Sequence, residues 1–288
     1  MSSVASATAT APSANGHAPG PALATSSEPT IGELSFDFDD PRYRQKSQPV
    51  PSDPTLLPSG TRSLSYIGLQ AFGLGFTLAF SLLAAAWLSL QDKPIWRLPA
   101  FLVCLSIFHF LEYWTTARFN LPATRASSFL LFSNGTAYNV AHTAAMVEIL
   151  FTSLLTPSLL QRPLPSTINA TIGLAFVVVG QLVRSVAMAQ AGTNFNHTPV
   201  KTKKEDHQLV TAGIYGYLRH PSYFGFFWWA IGTQLLVGNK VCLLGYVGIL
   251  WHFFYKRIIA EEKTLVEFFG RDYEDFRRRT QTGIPFIR

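Results

Sequence analysis

Arg219, His220 and Pro221 stand together in GIYGYLRHPSYFGFFWW, residues 213–229, at the edge of a wall of aromatics. Proline disfavours the α region for the residue before it and suits the first turn of a helix, so His220-Pro221 marks a helix start. Backbone N–H groups at such a start lack intrahelical partners and, with the helix dipole, favour an anion. His220 and Tyr223 flank the start, so a carboxylate or phosphate could dock there. The plainer reading is an interfacial helix start, with Arg219 on lipid phosphate and Tyr223, Trp228 and Trp229 in an aromatic belt. Upstream, the connector AGTNFNHTPVKTKKEDHQLVTAGIYGYLRHP offers Asn194, Asn196, His197, Asp206, His207 and Tyr215, more polar side chains than a bare loop needs. Its histidines are ten and thirteen residues apart without a cysteine among them, spacings that argue against a metal site. Downstream, Arg257 and Glu261 share a helical face; as a surface pair they would contribute only ~0.3 kcal/mol.

Arg184 lies inside an apolar stretch, three residues after Gln181 on the same helical face. An ionisable residue within a span needs a reason. Either it snorkels to the cytosolic interface, or it faces inward and holds an anion. Gly173, Gly180 and Ala187 on that stretch would let another helix approach closely. His109 and Glu112 close a second apolar stretch and read as interfacial, while Glu148 reads as a partner within the bundle.

The elements that must carry these residues are membrane helices. Of the 288 residues, 48% are hydrophobic and 14% charged, against about 25% charged in soluble domains. Leu64 to Leu90 and Leu98 to Leu111 hold no Asp, Glu, Lys or Arg, and the second stays apolar to Trp114. Ser127 to Leu160 holds only Glu148, and Ile168 to Ala191 only Arg184. Ser222 to Gly238 and Val241 to Tyr255 form a tight helical hairpin across Asn239 and Lys240. A span takes roughly 20 apolar residues, and only helices or closed barrels satisfy their backbone in lipid. The fold class is therefore all-α, a polytopic bundle of about six to eight spans. Residues 1–60 are expected as a disordered or cytosolic tail, of which 1–31 are low in complexity and carry no cleavable signal peptide. Residues 61–160 hold the first membrane helices, and 161–288 a membrane core ending in an interfacial helix. Cys104 and Cys242 both sit in apolar spans and suggest neither a disulfide nor a metal.

Lys and Arg set the orientation. The N-terminal flank, the 191–221 connector and the C-terminal tail carry most of them. The opposite side holds Lys93, Arg97, Arg162 and Lys240. The formal charge of +6 thus reads as topology and contact with anionic lipid. Because the basic residues flank spans and form no single stripe, nucleic acid is a poor partner.

NFNH at 194–197, HQLVTAGIYGYLRHPSYFGFF at 207–227, GTQ at 232–234, RIIAEE at 257–262 and the FFG…Y…GIPFI tail closely resemble the isoprenylcysteine carboxyl methyltransferase family. The likeness is dense from about Gly180 to Ile287 and looser across the earlier spans. RHPxYxG with a downstream Glu-Glu is shared with phospholipid N-methyltransferases; NFNH and GIPFI are more specific. The resemblance implies a multi-pass endoplasmic-reticulum enzyme whose site faces the cytosol. It would move a methyl group from S-adenosylmethionine to the C-terminal carboxylate of a prenylated cysteine in processed CaaX proteins, without metal. It further implies a cofactor pocket of His207, Gln208, Leu209, Val210, Tyr215, His220, Pro221, Ser222, Tyr223 and Glu261. Arg257 would hold the substrate carboxylate with Arg184 as partner. One departure is Val200, where relatives often carry Gln.

The implied chemistry suits these residue types. An α-carboxylate has a pKa of roughly 3.5 and is ionised in the cytosol. Methyl transfer from a sulfonium is an in-line displacement that needs no general base, so alignment and water exclusion carry the catalysis. Arginine's planar fork fixes a carboxylate's orientation. A prenyl chain partitions into lipid, so a site at the cytosolic membrane edge serves both substrates, with Phe226, Phe227, Trp228 or Trp229 along the lipid route. The rival readings are a phospholipid or small-amine methyltransferase, which needs no paired arginines, a sterol reductase, which needs more spans, and a non-catalytic membrane scaffold or transporter.

Overall fold

The computed structural model describes residues 53–154, 167–198, 202 and 208–288. Seven α-helices follow in order: α1 Leu64–Leu90, α2 Arg97–Phe119, α3 Thr136–Leu154, α4 Thr167–Ala191, α5 Pro221–Val237, α6 Val241–Phe269 and α7 Arg271–Arg279. Among the described residues there is no strand, only an isolated bridge between Leu218 and Gln281. Helices Leu64–Leu90, Pro94–Phe119 and Thr167–Asn194 are long and apolar enough to cross a membrane. Helix α5 has 17 residues, about 26 Å at 1.5 Å per residue, against a hydrocarbon core of about 30 Å.

The apolar runs become helices whose burial follows their position. Helix α1 starts at Ser63, whose hydroxyl accepts the Tyr66 N–H. It packs on α2 and leaves Phe72, Phe76, Phe80, Leu83 and Trp87 exposed, a face suited to lipid. Helices α4 and α5 make the closest approach. A Cβ added to Gly180 would lie 2.6 Å from both Gly225 O and Trp229 N, so only hydrogen fits between these backbones. The partner expected for the Gly173/Gly180 face is thus α5. The central core joins Phe101 and Phe108 of α2, Ile149 of α3, Trp229 and Val237 of α5 and Tyr246 of α6.

The α5–α6 hairpin turns at Gly238, whose φ of 69° is left-handed, a conformation glycine adopts without penalty. Glu148 of α3 caps the next helix, accepting the N–H groups of Lys240, Val241 and Cys242 at 2.6, 3.0 and 2.7 Å. Its partner in the bundle is therefore a helix N-terminus. Arg97, expected as a loop cation, is buried. It donates to Pro94 O, Val237 O, Thr152 Oγ1 and Ser153 Oγ, tying α2, α3 and α5 together.

Helix α6 runs unbroken through the segment expected as a span followed by a separate interfacial helix, and ends at Gly270 with φ 56°. Its 29 residues reach about 44 Å, long enough to join a membrane section to a section beyond it. After α7 the chain returns along α5 and α6. Trp228 Nε1 donates to Gly283 O at 3.2 Å and Trp251 Nε1 to Pro285 O at 2.8 Å. Ile284 and Ile287 pack with Phe227, Ile231, Phe254 and Ile258.

Candidate functional site

Two cavities meet at the start of α5. The first, about 130 Å³, is the more polar of the two and lies between the connector, α5, α6 and α7. Gln208, Leu209, Val210, Tyr215, His220, Pro221, Ser222, Tyr223 and Glu261 all line it, together with Asn194, Asn196 and Arg219. His207 and Val200 lie outside the described residues. Local bonds hold the connector in place. Asn194 Oδ1 accepts the Gln208 N–H at 3.0 Å, Gln190 Oε1 the Ile214 N–H at 2.8 Å, and Tyr215 donates to Ala187 O at 3.2 Å. Burial and the Glu261 charge push the Tyr215 hydroxyl up, so it stays protonated.

The second cavity, about 260 Å³, is mostly apolar. It is bounded by Phe108, Tyr138, His142, Phe226, Tyr246, Ile249, Leu250, Phe253 and Phe254, with Arg184, His197 and Arg257 among its polar residues. Phe195, Asn196, Ser222 and Tyr223 border both cavities. Of the aromatics expected along a lipid route, Phe226 lines this cavity. Phe227 and Trp229 are instead core residues, 2% and 1% exposed, and Trp228 holds the C-terminal return.

Tyr223 links the two chemistries. Arg257 Nε donates to its hydroxyl at 2.9 Å, and the hydroxyl donates to Glu261 Oε2 at 2.5 Å. The expected direct Arg257–Glu261 pair is replaced by this relay, because the α5 tyrosine inserts between them. Arg257 Nη2 also donates to His197 O, and the guanidinium lies over the Tyr223 and Phe253 rings. Two of its three nitrogens are thus anchored, and Nη1 bonds none of the described residues.

Arg184 faces inward, and the anion it holds is Glu112. Nε donates to Oε1 at 2.5 Å and Nη2 to Oε2 at 2.8 Å, while Nη1 reaches Ser222 Oγ at 2.9 Å. His197 Nε2 lies 3.0 Å from Glu112 Oε2, and Phe108 and Phe226 flank the guanidinium at 5.5 Å each. Glu112, expected at the interface, is fully buried. His109 is also buried, between Phe129 O at 2.8 Å and the Tyr138 hydroxyl at 3.1 Å. A carboxylate and an arginine in adjoining spans neutralise each other, and sequence separation hid the pairing.

A second ion group underlies the polar cavity. Glu262 Oε1 accepts from Arg219 Nε at 2.6 Å and lies 3.2 Å from His220 Nε2, while Arg277 approaches Oε2 at 3.7 Å. Burial alone would raise the Glu262 carboxyl; the bonds and charges of His220 and Arg219 outweigh it and hold the group below its usual range. Arg219 therefore serves a carboxylate of the protein, not a lipid phosphate. Arg277 joins the same group, while Arg278 pairs with Asp275. Leu265 and Phe269, which alternate with charges as an interfacial helix would, line the polar cavity instead.

An all-helical membrane protein with a polar pocket opening beside an apolar cavity is the class this architecture defines. Within that class, residues 172–267 match the isoprenylcysteine carboxyl methyltransferase (ICMT) family. The protein-S-isoprenylcysteine O-methyltransferase of Saccharomyces cerevisiae is 47% identical over 190 residues, 65% of this chain and 79% of the relative. Those of Xenopus laevis and Homo sapiens are 40% and 38% identical, covering 78% and 75% of this chain and 75% and 71% of theirs. The solved eukaryotic intramembrane Ras methyltransferase ICMT is similar in fold, with a TM-score of 0.66 and 32% identity over 77% of this chain and 84% of that one. The chain belongs to the isoprenylcysteine carboxyl methyltransferase family.

Proposed function

We propose that this enzyme methylates the C-terminal carboxylate of prenylated cysteine in processed CaaX proteins, with S-adenosylmethionine as donor. The observation that carries the reading is the meeting of a polar pocket and an apolar cavity across Tyr223, with Arg257 on the apolar side. The residues fit a donor with charged and hydrogen-bonding groups: Asn194, Asn196, Gln208 and Glu261 offer polar partners, and the start of α5 offers the Ser222 N–H, since Pro221 has none and those of Tyr223 and Phe224 go to His220 O. When bound, the donor supplies an activated methyl group. The chain's residues bind and align. His207, Gln208, Leu209, Val210, Tyr215, His220, Pro221, Ser222, Tyr223 and Glu261 hold the donor. Arg257 orients the acceptor carboxylate through its remaining nitrogen, fixed by Tyr223 and His197. Arg184, bonded to Glu112 and Ser222, positions the wall between the cavities. The prenyl chain occupies the apolar cavity, whose walls also exclude water.

In the same reading the chain makes about six spans, adding α3, α5 and the first part of α6 to the three helices long and apolar enough to cross a membrane. It resides in the endoplasmic-reticulum membrane with the pocket facing the cytosol. Residues 61–160 act as a supporting bundle and 161–288 as the catalytic core; of the tail expected over 1–60, residues 1–52 lie outside the described residues and 53–60 carry the short helix Pro54–Leu56. The test is transfer of labelled methyl from S-adenosylmethionine to N-acetyl-S-farnesylcysteine, with Arg257→Ala beside the native chain. Base-labile label in the native product, lost in the variant while donor binding persists, is expected. Equal turnover by both would remove Arg257 from the site; label in phospholipid alone would replace the acceptor class.

A further inference from the structure

The end of α7 and the C-terminal return enclose a groove of about 680 Å³ apart from the two cavities of the site. Arg219 alone borders both this groove and the polar cavity. Arg219, Arg277, Arg278 and Arg288 line the groove, with no carboxylate side chain among the described lining residues. Counter-charges stand behind the wall. Glu262 holds Arg219 at 2.6 Å and is shared with His220, while Asp275 holds Arg278, with Glu274 adding to its field. Arg277 approaches the committed Glu262 only to 3.7 Å, and its side chain is 45% exposed. Arg288 is exposed beside its own α-carboxylate and forms no ion pair with the other described side chains. Arg277 and Arg288 are therefore the groove's available cations.

The opposite end of the groove is apolar, formed by Ile284, Pro285, Phe286 and Ile287. Helix α6 sets the separation. Arg277 stands at the level of Glu262, and Pro285 at the level of Trp251, whose indole donates to its carbonyl. Trp251 and Glu262 are eleven residues apart on one helix, about 16 Å. The apolar end lies toward the membrane section of α6 and the arginine end beyond it. Phe286 carries a second signal. It occupies the third position of the turn closed by Ile287 N–H on Ile284 O, with φ 63°, where glycine or asparagine is usual. A bulky residue there is strained, and the ring is 91% exposed, so packing within the chain does not compensate. A surface outside the chain must.

We propose that this groove binds an anionic phospholipid of the cytosolic leaflet, its phosphate on Arg277 and Arg288 and its acyl chains against Phe286. Basic residues at the membrane surface attract anionic lipid, and an exposed aromatic ring beside tryptophan indoles suits the interface. The groove's charged and apolar ends match the two parts of such a lipid. The proposal rests on the membrane placement of α5 and α6 given above, and on neither the donor nor the acceptor of the reaction.

The test titrates the purified full chain in detergent with phosphatidylserine, phosphatidylcholine or the chain-free headgroup glycerophosphoserine, with bound ligand read by native mass spectrometry. The native chain should hold phosphatidylserine about tenfold more tightly than phosphatidylcholine. Arg277→Gln/Arg288→Gln should lose that preference and keep its phosphatidylcholine affinity. Phe286→Gly relieves the left-handed backbone, so its lipid-free melting temperature should hold or rise, while phosphatidylserine binding weakens about fivefold; this variant decides the matter if the arginine pair proves unstable. Equal affinity of the native chain for both lipids, a preference kept by the arginine variant, or glycerophosphoserine competing as well as the intact lipid overturns the proposal, the last in favour of a soluble anion. Methyl transfer to farnesylcysteine in the same samples separates the two readings. Turnover without lipid preference sinks this site alone, and lipid preference without turnover sinks the enzymatic reading alone.

Discussion

Glu112→Gln should destabilise the protein by about 3–5 kcal/mol, the usual cost of stranding one partner of a buried ion pair. The structure accounts for the size. Glu112 is fully buried and its two oxygens accept from Arg184 at 2.5 and 2.8 Å, while His197 lies 3.0 Å from the second. Glutamine keeps the shape and one acceptor, and turns the other oxygen into a donor facing cation or imidazole. The Coulomb attraction removed is about 4 kcal/mol for charges ~4 Å apart at an effective dielectric of 20. The loss extends to the site, because Arg257 is anchored on the His197 carbonyl; turnover of farnesylcysteine should fall at least about tenfold. Thermal unfolding in detergent, with methyl transfer alongside, measures both. Glu112→Met/Arg184→Met should regain most of the stability, since removing both charges removes the stranded one. A loss under about 1 kcal/mol for Glu112→Gln, or a double variant as unstable as the two singles summed, would refute the argument.

At Gly180, alanine would place a methyl 2.6 Å from Gly225 O and Trp229 N. Both contacts are backbone and cannot swing aside, so α4 and α5 must separate; Gly180→Ala should lose about 2 kcal/mol or more, measured as a lower melting temperature. Glu262 sets an acid limit. Its folded carboxyl lies below the usual range, so its stabilisation is present above the unfolded value of about 4.3 and is lost as pH falls through the folded value. Glu262→Gln should therefore melt lower than the native chain near pH 7, with the two curves converging as pH falls below the unfolded value of about 4.3; a constant gap across that range would rule Glu262 out as the titrating group.

The apolar runs showed where helices would lie, because insertion into lipid needs continuous apolar length whatever the tertiary fold. Helix α1 begins and ends at Leu64 and Leu90, as its charge-free stretch implies. The polar connector and the proline-marked start of α5 were equally visible, since both are local signals. What stayed hidden is which charges meet. Glu112 and Arg184 are 72 residues apart, and Arg219 and Glu262 are 43 apart; no local period relates them, so each taken alone resembles an interfacial residue. Helical spacing misleads in the reverse way at Arg257 and Glu261. A four-residue interval brings two side chains to one face, but Tyr223 from another helix comes between them and makes the contact polar on both sides. Amphipathy carries the same ambiguity. Leu265 and Phe269 mark a face that must be covered, and a membrane surface or a pocket would leave the same pattern. Here the face lines the polar cavity. An apolar stripe records that water is excluded, whereas the identity of the neighbour depends on long-range packing.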